Sequence, residues 1–204
     1  AIDAHLADYV KIENVEISSF GLNGVQLGAN SSVVSADLYD LGGYGVNMFG
    51  DGHPATLTPG NSHVVNSRIR DWAKWQRVYT PAVVLGGVAN SVRHCQIEGG
   101  PHSSVTLYGN DNTLAYNEIS RPSQEFNDMG AVYMNLGPNP LNRGHVIHNN
   151  FFHDIGEGRR PLIQAVYADD GSMGVTVHSN VFYRVACGET CHAVHGNGAS
   201  YINV

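Results

Sequence analysis

Three stretches decide the fold: Leu114-Ala-Tyr-Asn117-Glu-Ile119, Ile147-His-Asn-Asn150-Phe-Phe152 and Val177-His-Ser-Asn180-Val-Phe182. Each reads apolar, two free positions, an amide, one free position, apolar. Working outward, the same frame fits Ile12-Glu-Asn-Val15-Glu-Ile17, Val33-Val-Ser-Ala36-Asp-Leu38, Val64-Val-Asn-Ser67-Arg-Ile69 and Val92-Arg-His-Cys95-Gln-Ile97. The fourth positions fall at residues 15, 36, 67, 95, 117, 150 and 180, so successive intervals run from 21 to 33 residues. A fixed minimum with variable surplus is the signature of a coil of constant size carrying loops of different length.

A strand follows each frame: Val25-Gln-Leu27, Val46-Asn-Met48, Val83-Val-Leu85, Val105-Thr-Leu107, Val132-Tyr-Met134, Val166-Tyr-Ala168 and Val194-His-Gly196. Apolar residues at i and i+2 around a different residue type match a strand buried on one face. Strands recurring in the same order stack in parallel on themselves, which predicts an all-β fold, a right-handed single-stranded parallel β-helix (β-solenoid) of about seven to eight coils. Asn117, Asn150 and Asn180 are expected one above another at a bend, each amide bonding to its neighbours and to backbone freed by the turn.

The chain of 204 residues carries 11 Lys and Arg against 18 Asp and Glu, a formal net charge of -7, which argues against nucleic acid as a partner. Charged residues make up only 14% of the chain, below the roughly 25% of an average domain. No apolar run reaches the roughly 18 residues of a membrane helix, so no membrane insertion is expected. Ala1 to Val10 contain no signal peptide pattern. Residues 1–204 are read as a single β-helix domain, an excerpt of a longer solenoid. Uncapped solenoid ends would allow end-to-end association. Cys187 and Cys191 are close enough for a small loop bridge in an oxidising compartment, with Cys95 left over. Their surroundings lack the second pair of ligands that a zinc site needs, so no metal site is assigned.

Polar and aromatic residues concentrate between His102 and His195. If Val132, Val166 and Val194 point inward, then Tyr133, Tyr167 and His195 form an outward column, with Asn135, Asp169 and Asn197 two residues on. Flat rings flanked by amides and a carboxylate suit an oligo- or polysaccharide, although like side chains also align on any parallel sheet. Asp128, Asp169 and Asp170 are the candidate catalytic carboxylates, since glycoside hydrolysis uses one carboxylic acid to protonate the leaving oxygen and a second as nucleophile or base. Asp169-Asp170-Gly171 is equally a common turn sequence. Alignment of Val132 with Val166 sets Asp128 opposite Leu162, about 23 Å of straight strand from Asp169. Cooperation therefore requires a bend near Gly130 or a loop folded back over the face. Without one, the nearer partners of Asp128 are His102, Glu125, His153 or Asp154. Asp154 also falls in a column with Arg121 and Arg184, which predicts an Arg-Asp-Arg stack.

Gly109-Asn-Asp111, Tyr116-Asn-Glu-Ile119, Asp128-Met-Gly-Ala-Val-Tyr133, Asn150-Phe-Phe-His-Asp-Ile155, Val166-Tyr-Ala-Asp-Asp-Gly171 and Asn180-Val-Phe-Tyr-Arg-Val185 resemble signature segments of right-handed β-helix proteins related to glycoside hydrolase family 141. The resemblance covers about residues 100 to 204. It implies extracellular or periplasmic hydrolysis of plant or algal polysaccharide, with fucosidase and xylanase activities in the family, and it carries the catalytic aspartates onto Asp128 and onto Asp169 or Asp170. Two departures stand out. Asn112 occupies a place where members often have His, and Asn135-Leu136-Gly137 replaces a Gly-Arg-Asp.

Three functions follow in order. The first is a glycoside hydrolase using those aspartates, with His102, Tyr133, Asn135, His153, Tyr167 and His195 binding substrate and no cofactor. The second is a non-catalytic carbohydrate-binding, structural or adhesin solenoid. The third is a polysaccharide lyase or epimerase, which would call for a Lys or Arg base and often Ca²⁺. Lys11 and Lys74 fall outside the site, leaving Arg121, Arg143, Arg159 and Arg160 as its basic candidates.

Overall fold

The computed structural model describes all residues except 49–51, 136–141, 157–160 and 186–189. The described residues form a right-handed parallel β-helix without helices. Two parallel sheets have eight strands and a third has seven, and each pairs strands of successive coils. The first sheet runs from Ile2–Asp3 through Val105–Leu107, Met129–Met134 and Ile163–Ala168 to Val194–Gly196. The second runs from Lys11–Glu13 to Ser200–Asn203, and the third from Glu16–Phe20 to Val181–Val185. A small antiparallel ribbon, Gly52–His53 with Thr58–Pro59, sits in the surplus of one long coil.

Each coil thus has three strands rather than the two read from sequence. The six-residue frame is cut in half by one residue in the left-handed region: Asn14, Ser35, Asn66, His94, Tyr116, Asn149 or Ser179, with φ between 51° and 59°. Asn tolerates this conformation because its short side chain bonds locally, but His94 and Tyr116 hold it at a cost of about 1 kcal/mol or more. The turned backbone moves the first half of the frame onto the second sheet and the last half onto the third.

Inward columns fill the tube. Val25, Val46, Val83, Val105, Val132 and Val166 stack in register and are fully buried. Facing them are Val33, Val64, Val92, Leu114 and Ile147, with Leu38, Ile69, Ile97, Ile119 and Phe152 on the third sheet. Each such side chain contributes roughly 1.5–3 kcal/mol by leaving water, so the coils are held mainly by their neighbours in the stack.

The amide column forms as expected and extends further. Asn117 N–H donates to Asn150 Oδ1 at 2.9 Å, and Asn150 N–H donates to Asn180 Oδ1 at 2.9 Å. Cys95 N–H reaches Asn117 Oδ1 at 2.9 Å, and Ala36 N–H reaches Ser67 Oγ at 3.1 Å. A second ladder, outside the aligned frame, joins the first sheet to the second. Its rungs run Ser31 N–H to Ser62 Oγ, Ser62 N–H to Asn90 Oδ1 and Asn90 N–H to Asn112 Oδ1, at 3.2, 2.7 and 2.8 Å. Asn112 is fully buried there. Its place in the chain is that of a structural rung.

The Arg-Asp-Arg stack is only half present. Asp154 takes the Arg184 guanidinium and the His153 ring, and those bonds hold its carboxyl below the usual range, Arg184 contributing most. Arg121 turns instead to Glu98.

Candidate functional site

The long Met129–Met134 and Ile163–Ala168 strands do not alternate strictly. Ala131 and Val132 both face the core, as do Ala165 and Val166, while Met129, Tyr133 and Tyr167 form a separate outer cluster with Phe126. Just before each strand one residue lies in the left-handed region, Asp128 and Leu162, both with φ of 57°. A Cβ on Gly130 would lie 2.4 Å from the Val132 carbonyl oxygen and 2.9 Å from Tyr167 Cβ. The missing side chain at Gly130 leaves room for Tyr167 beside it.

The expected separation of Asp128 from Asp169 is corrected by the contacts of Tyr167. Tyr167 donates its phenol to Asp128 Oδ1 at 3.2 Å and also contributes to holding Asp169 ionised. The two carboxylates therefore both engage one phenol, closer than straight strand would place them.

A pocket of about 360 Å³ opens here. Its lining includes Asp128, Asp169, Asp170, His102, Tyr133 and Asn135, six of the nine residues predicted from sequence. Asp169 is the floor. It is 5% exposed, and its carboxylate accepts from Tyr133 Oη at 2.8 Å, Asn197 Nδ2 at 2.8 Å and the Asp170 N–H at 2.9 Å. Burial works to raise its pKa, but the combined bonds from Asn197, Tyr133, the Asp170 backbone and Tyr167 outweigh it and hold the carboxyl below its ordinary value. Asp128 and Asp170 stand exposed at the rim, each in the left-handed region with φ of 57° and 47°.

The tyrosine column forms in the predicted register, Thr106, Tyr133, Tyr167, His195. Its faces are not available for stacking a sugar, however, and that expectation is corrected. Tyr133 and Tyr167 are each only 4% exposed. Their rings pack on one another at 5.5 Å, and His195 covers Tyr167 at 5.2 Å from the far side. Both phenols are pushed to higher pKa, by burial first and by the adjacent carboxylates next. They act as fixed neutral donors under the pocket. Asn135 Nδ2 in turn donates to Tyr133 Oη at 3.0 Å.

His102 forms a wall. It is 1% exposed, packs between Tyr79 at 5.0 Å and Phe126 at 5.8 Å, and burial pushes its pKa down to about 4. His153 does not reach the pocket. It belongs to the third sheet, where its ring is taken by Asp154 at 2.6 Å and Glu118 at 3.1 Å. His195 touches Tyr167 but does not line the pocket.

Sequence reading missed Val78, Tyr79, Phe126, Asn127 and Met129, which together with Asn197 complete the described lining. A signal existed for the first two. The interval of 28 residues from Ser67 to Cys95 exceeds the shortest coils, so a loop had to leave the tube after Arg70. Trp72 anchors that loop, its buried indole donating to the Thr80 carbonyl at 3.2 Å. Arg77 then pairs with Glu125, tying this loop to the one that presents Asp128. A larger open depression of about 710 Å³ follows the corner from Asn14 to Gln96, remote from these carboxylates.

Among the described residues no three His, Cys, Asp or Glu side chains are grouped as a metal ion would require, and no helix is long and apolar enough to cross a membrane. Arg159 and Arg160 lie outside the described residues, as do Leu136 and Gly137. Cys191 is disulfide-bonded and Cys95 is free and buried, whereas Cys187, the expected partner of Cys191, also lies outside the described residues.

The pairing of strands and the columns of identical register define a parallel β-solenoid. The chain belongs to the right-handed β-helix family, whose sequence profile matches residues 2–182. No curated protein and no solved structure matches it. This scaffold carries carbohydrate-active enzymes and adhesins alike.

Proposed function

We propose that this β-helix is a carbohydrate-active protein, a glycoside hydrolase working in the pocket over Asp169. The observation that carries the reading is a carboxylate held ionised on the floor of a pocket whose rim presents two further, exposed carboxylates, Asp128 and Asp170. Hydrolysis passes through an oxocarbenium-like transition state, which a fixed negative charge below the ring stabilises. Asp128 and Asp170 are placed to exchange protons with the leaving oxygen and the attacking water. The amides of Asn127, Asn135 and Asn197 offer bonds to hydroxyls. The resemblance to glycoside hydrolase family 141 supports the same residues. The disulfide at Cys191 supports an extracellular or periplasmic setting.

A lyase or epimerase fits less well, because among the described residues neither Lys nor Arg lines the pocket to neutralise a uronate. A binding module without turnover is favoured by one fact: every bond to Asp169 comes from a neutral donor that already has it in place. Reducing-end release from a panel of neutral plant and algal glycans separates the readings. Asp128→Asn and Asp170→Asn should each lower turnover about 10²- to 10⁴-fold with the fold intact. Undiminished release by both variants, or an ultraviolet-absorbing unsaturated product, would overturn the hydrolase reading. Binding without release would leave the binding module.

A further inference from the structure

The pocket is unbalanced in charge. Among the described residues its lining contains Asp128, Asp169 and Asp170 but no Lys or Arg, and the donors to Asp169 are two phenols, an amide and a backbone N–H, all neutral. Arg77, on the loop that supplies Tyr79, is engaged by Glu125. A buried carboxylate is ordinarily matched by a cation. Here none is supplied among the described lining residues.

A second, independent observation points to a ligand. His102 is 1% exposed and lines the same pocket, yet its Nδ1 has no hydrogen-bond partner among the described residues. Leaving such an atom unmatched costs about 1–3 kcal/mol. Its ring packs against those of Tyr79 and Phe126. It stays neutral above about pH 4, so it adds a hydrogen-bonding atom without adding positive charge. The rings of Tyr79 and Phe126 add faces that attract cations.

We propose that the pocket takes a sugar bearing a protonated amine, its ammonium set against the Asp128, Asp169 and Asp170 carboxylates and a neighbouring hydroxyl bonded to His102 Nδ1. The inference rests on the carbohydrate reading above and narrows its substrate class from neutral glycans to amino sugars. A volume of about 360 Å³ lies within the range of small-ligand sites. N-acetylation removes the charge while keeping the sugar, which makes the idea separable from the reading beneath it.

The test is calorimetric titration of the whole chain with four probes: the tetramer of β-1,4-linked glucosamine, its N-acetylated counterpart, cellotetraose and tetragalacturonate, with spermidine as a sugar-free cation. The free-amine tetramer should bind at least about tenfold tighter than the N-acetylated tetramer and cellotetraose. That advantage should shrink with added salt and in Asp170→Asn, whose folding is checked by thermal melting. Equal or tighter binding of cellotetraose or the N-acetylated tetramer would overturn the amine inference and leave the carbohydrate reading standing. Spermidine binding as tightly as the glucosamine tetramer would overturn the sugar component. No binding by any probe would overturn both.

Discussion

Tyr133→Phe removes one hydroxyl and keeps the ring that packs on Tyr167. The lost group donates to Asp169 at 2.8 Å and accepts from Asn135 at 3.0 Å. A hydrogen bond to an ionised group is worth about 1.5–3 kcal/mol and one between neutral groups about 1 kcal/mol. Asn135 is half-exposed and can turn to water, so the expected loss at pH 7 is about 2 kcal/mol. For a chain of this length that lowers the melting temperature by about 4–8 °C. The pH dependence identifies the cause. The Asp169 carboxyl lies below its ordinary value because the bonds from Asn197, Tyr133, Asp170 and Tyr167 outweigh burial. A depressed carboxyl contributes stability that is present above its unfolded pKa of about 3.9 and is lost as pH falls through the folded value. The penalty of the substitution should therefore be largest at neutral pH and shrink toward about 1 kcal/mol as the pH falls through the folded value. Urea denaturation followed by tryptophan fluorescence at pH 7, 5 and 3 measures it. A penalty that does not change with pH, or none at all, would refute the claim that this phenol holds an ionised Asp169.

Asn150→Ala should cost about 3 kcal/mol, because it strands the buried Asn117 N–H and the Leu114 carbonyl and takes from the Asn117 amide one of its two bonds, leaving that to the Val92 carbonyl; a loss under about 1 kcal/mol in urea melts would mean the ladder is incidental. His102 and His145 are both buried, and burial pushes each pKa down to about 4. Below an unfolded value of about 6.5 protons bind the unfolded chain first, so stability should decline as pH falls from about 6.5 toward 4, by up to about 3 kcal/mol for each histidine. Replacing both with Phe should flatten that slope, and an unchanged slope would assign acid lability elsewhere.

The tube was legible because its repeat is written in residue types. Valines at two-residue spacing mark inward positions, and Asn117, Asn150 and Asn180 mark the corner. The third strand was not, since the residue that splits the frame is Tyr116 in one coil and His94 in another, and neither type signals a left-handed backbone. The second ladder was hidden for a different reason. Ser31, Ser62, Asn90 and Asn112 lie outside the frame that aligns the coils. At the site, alternation correctly sent Tyr133 and Tyr167 outward, but exposure is decided by what other coils lay over them. Phe126 and His195 cover them, and only the folded chain brings those residues there. Asp128 and Asp169 meet at the Tyr167 phenol, with left-handed backbone at Asp128 and Leu162 that a strand of regular period does not contain.

The pocket draws on five consecutive turns of the tube: Tyr79, His102, Asp128, Asp169 and Asn197 each come from a different one. In such an array a turn communicates only with the turn above and the turn below. Inserting one further whole turn between Tyr79 and Asp169 would keep the columns continuous, yet slide one wall past the other by about 4.8 Å, one strand spacing. The scaffold is indifferent to that change and the site is not, so the recognition properties of such a solenoid can be retuned by arithmetic on turns without altering a single residue in the pocket.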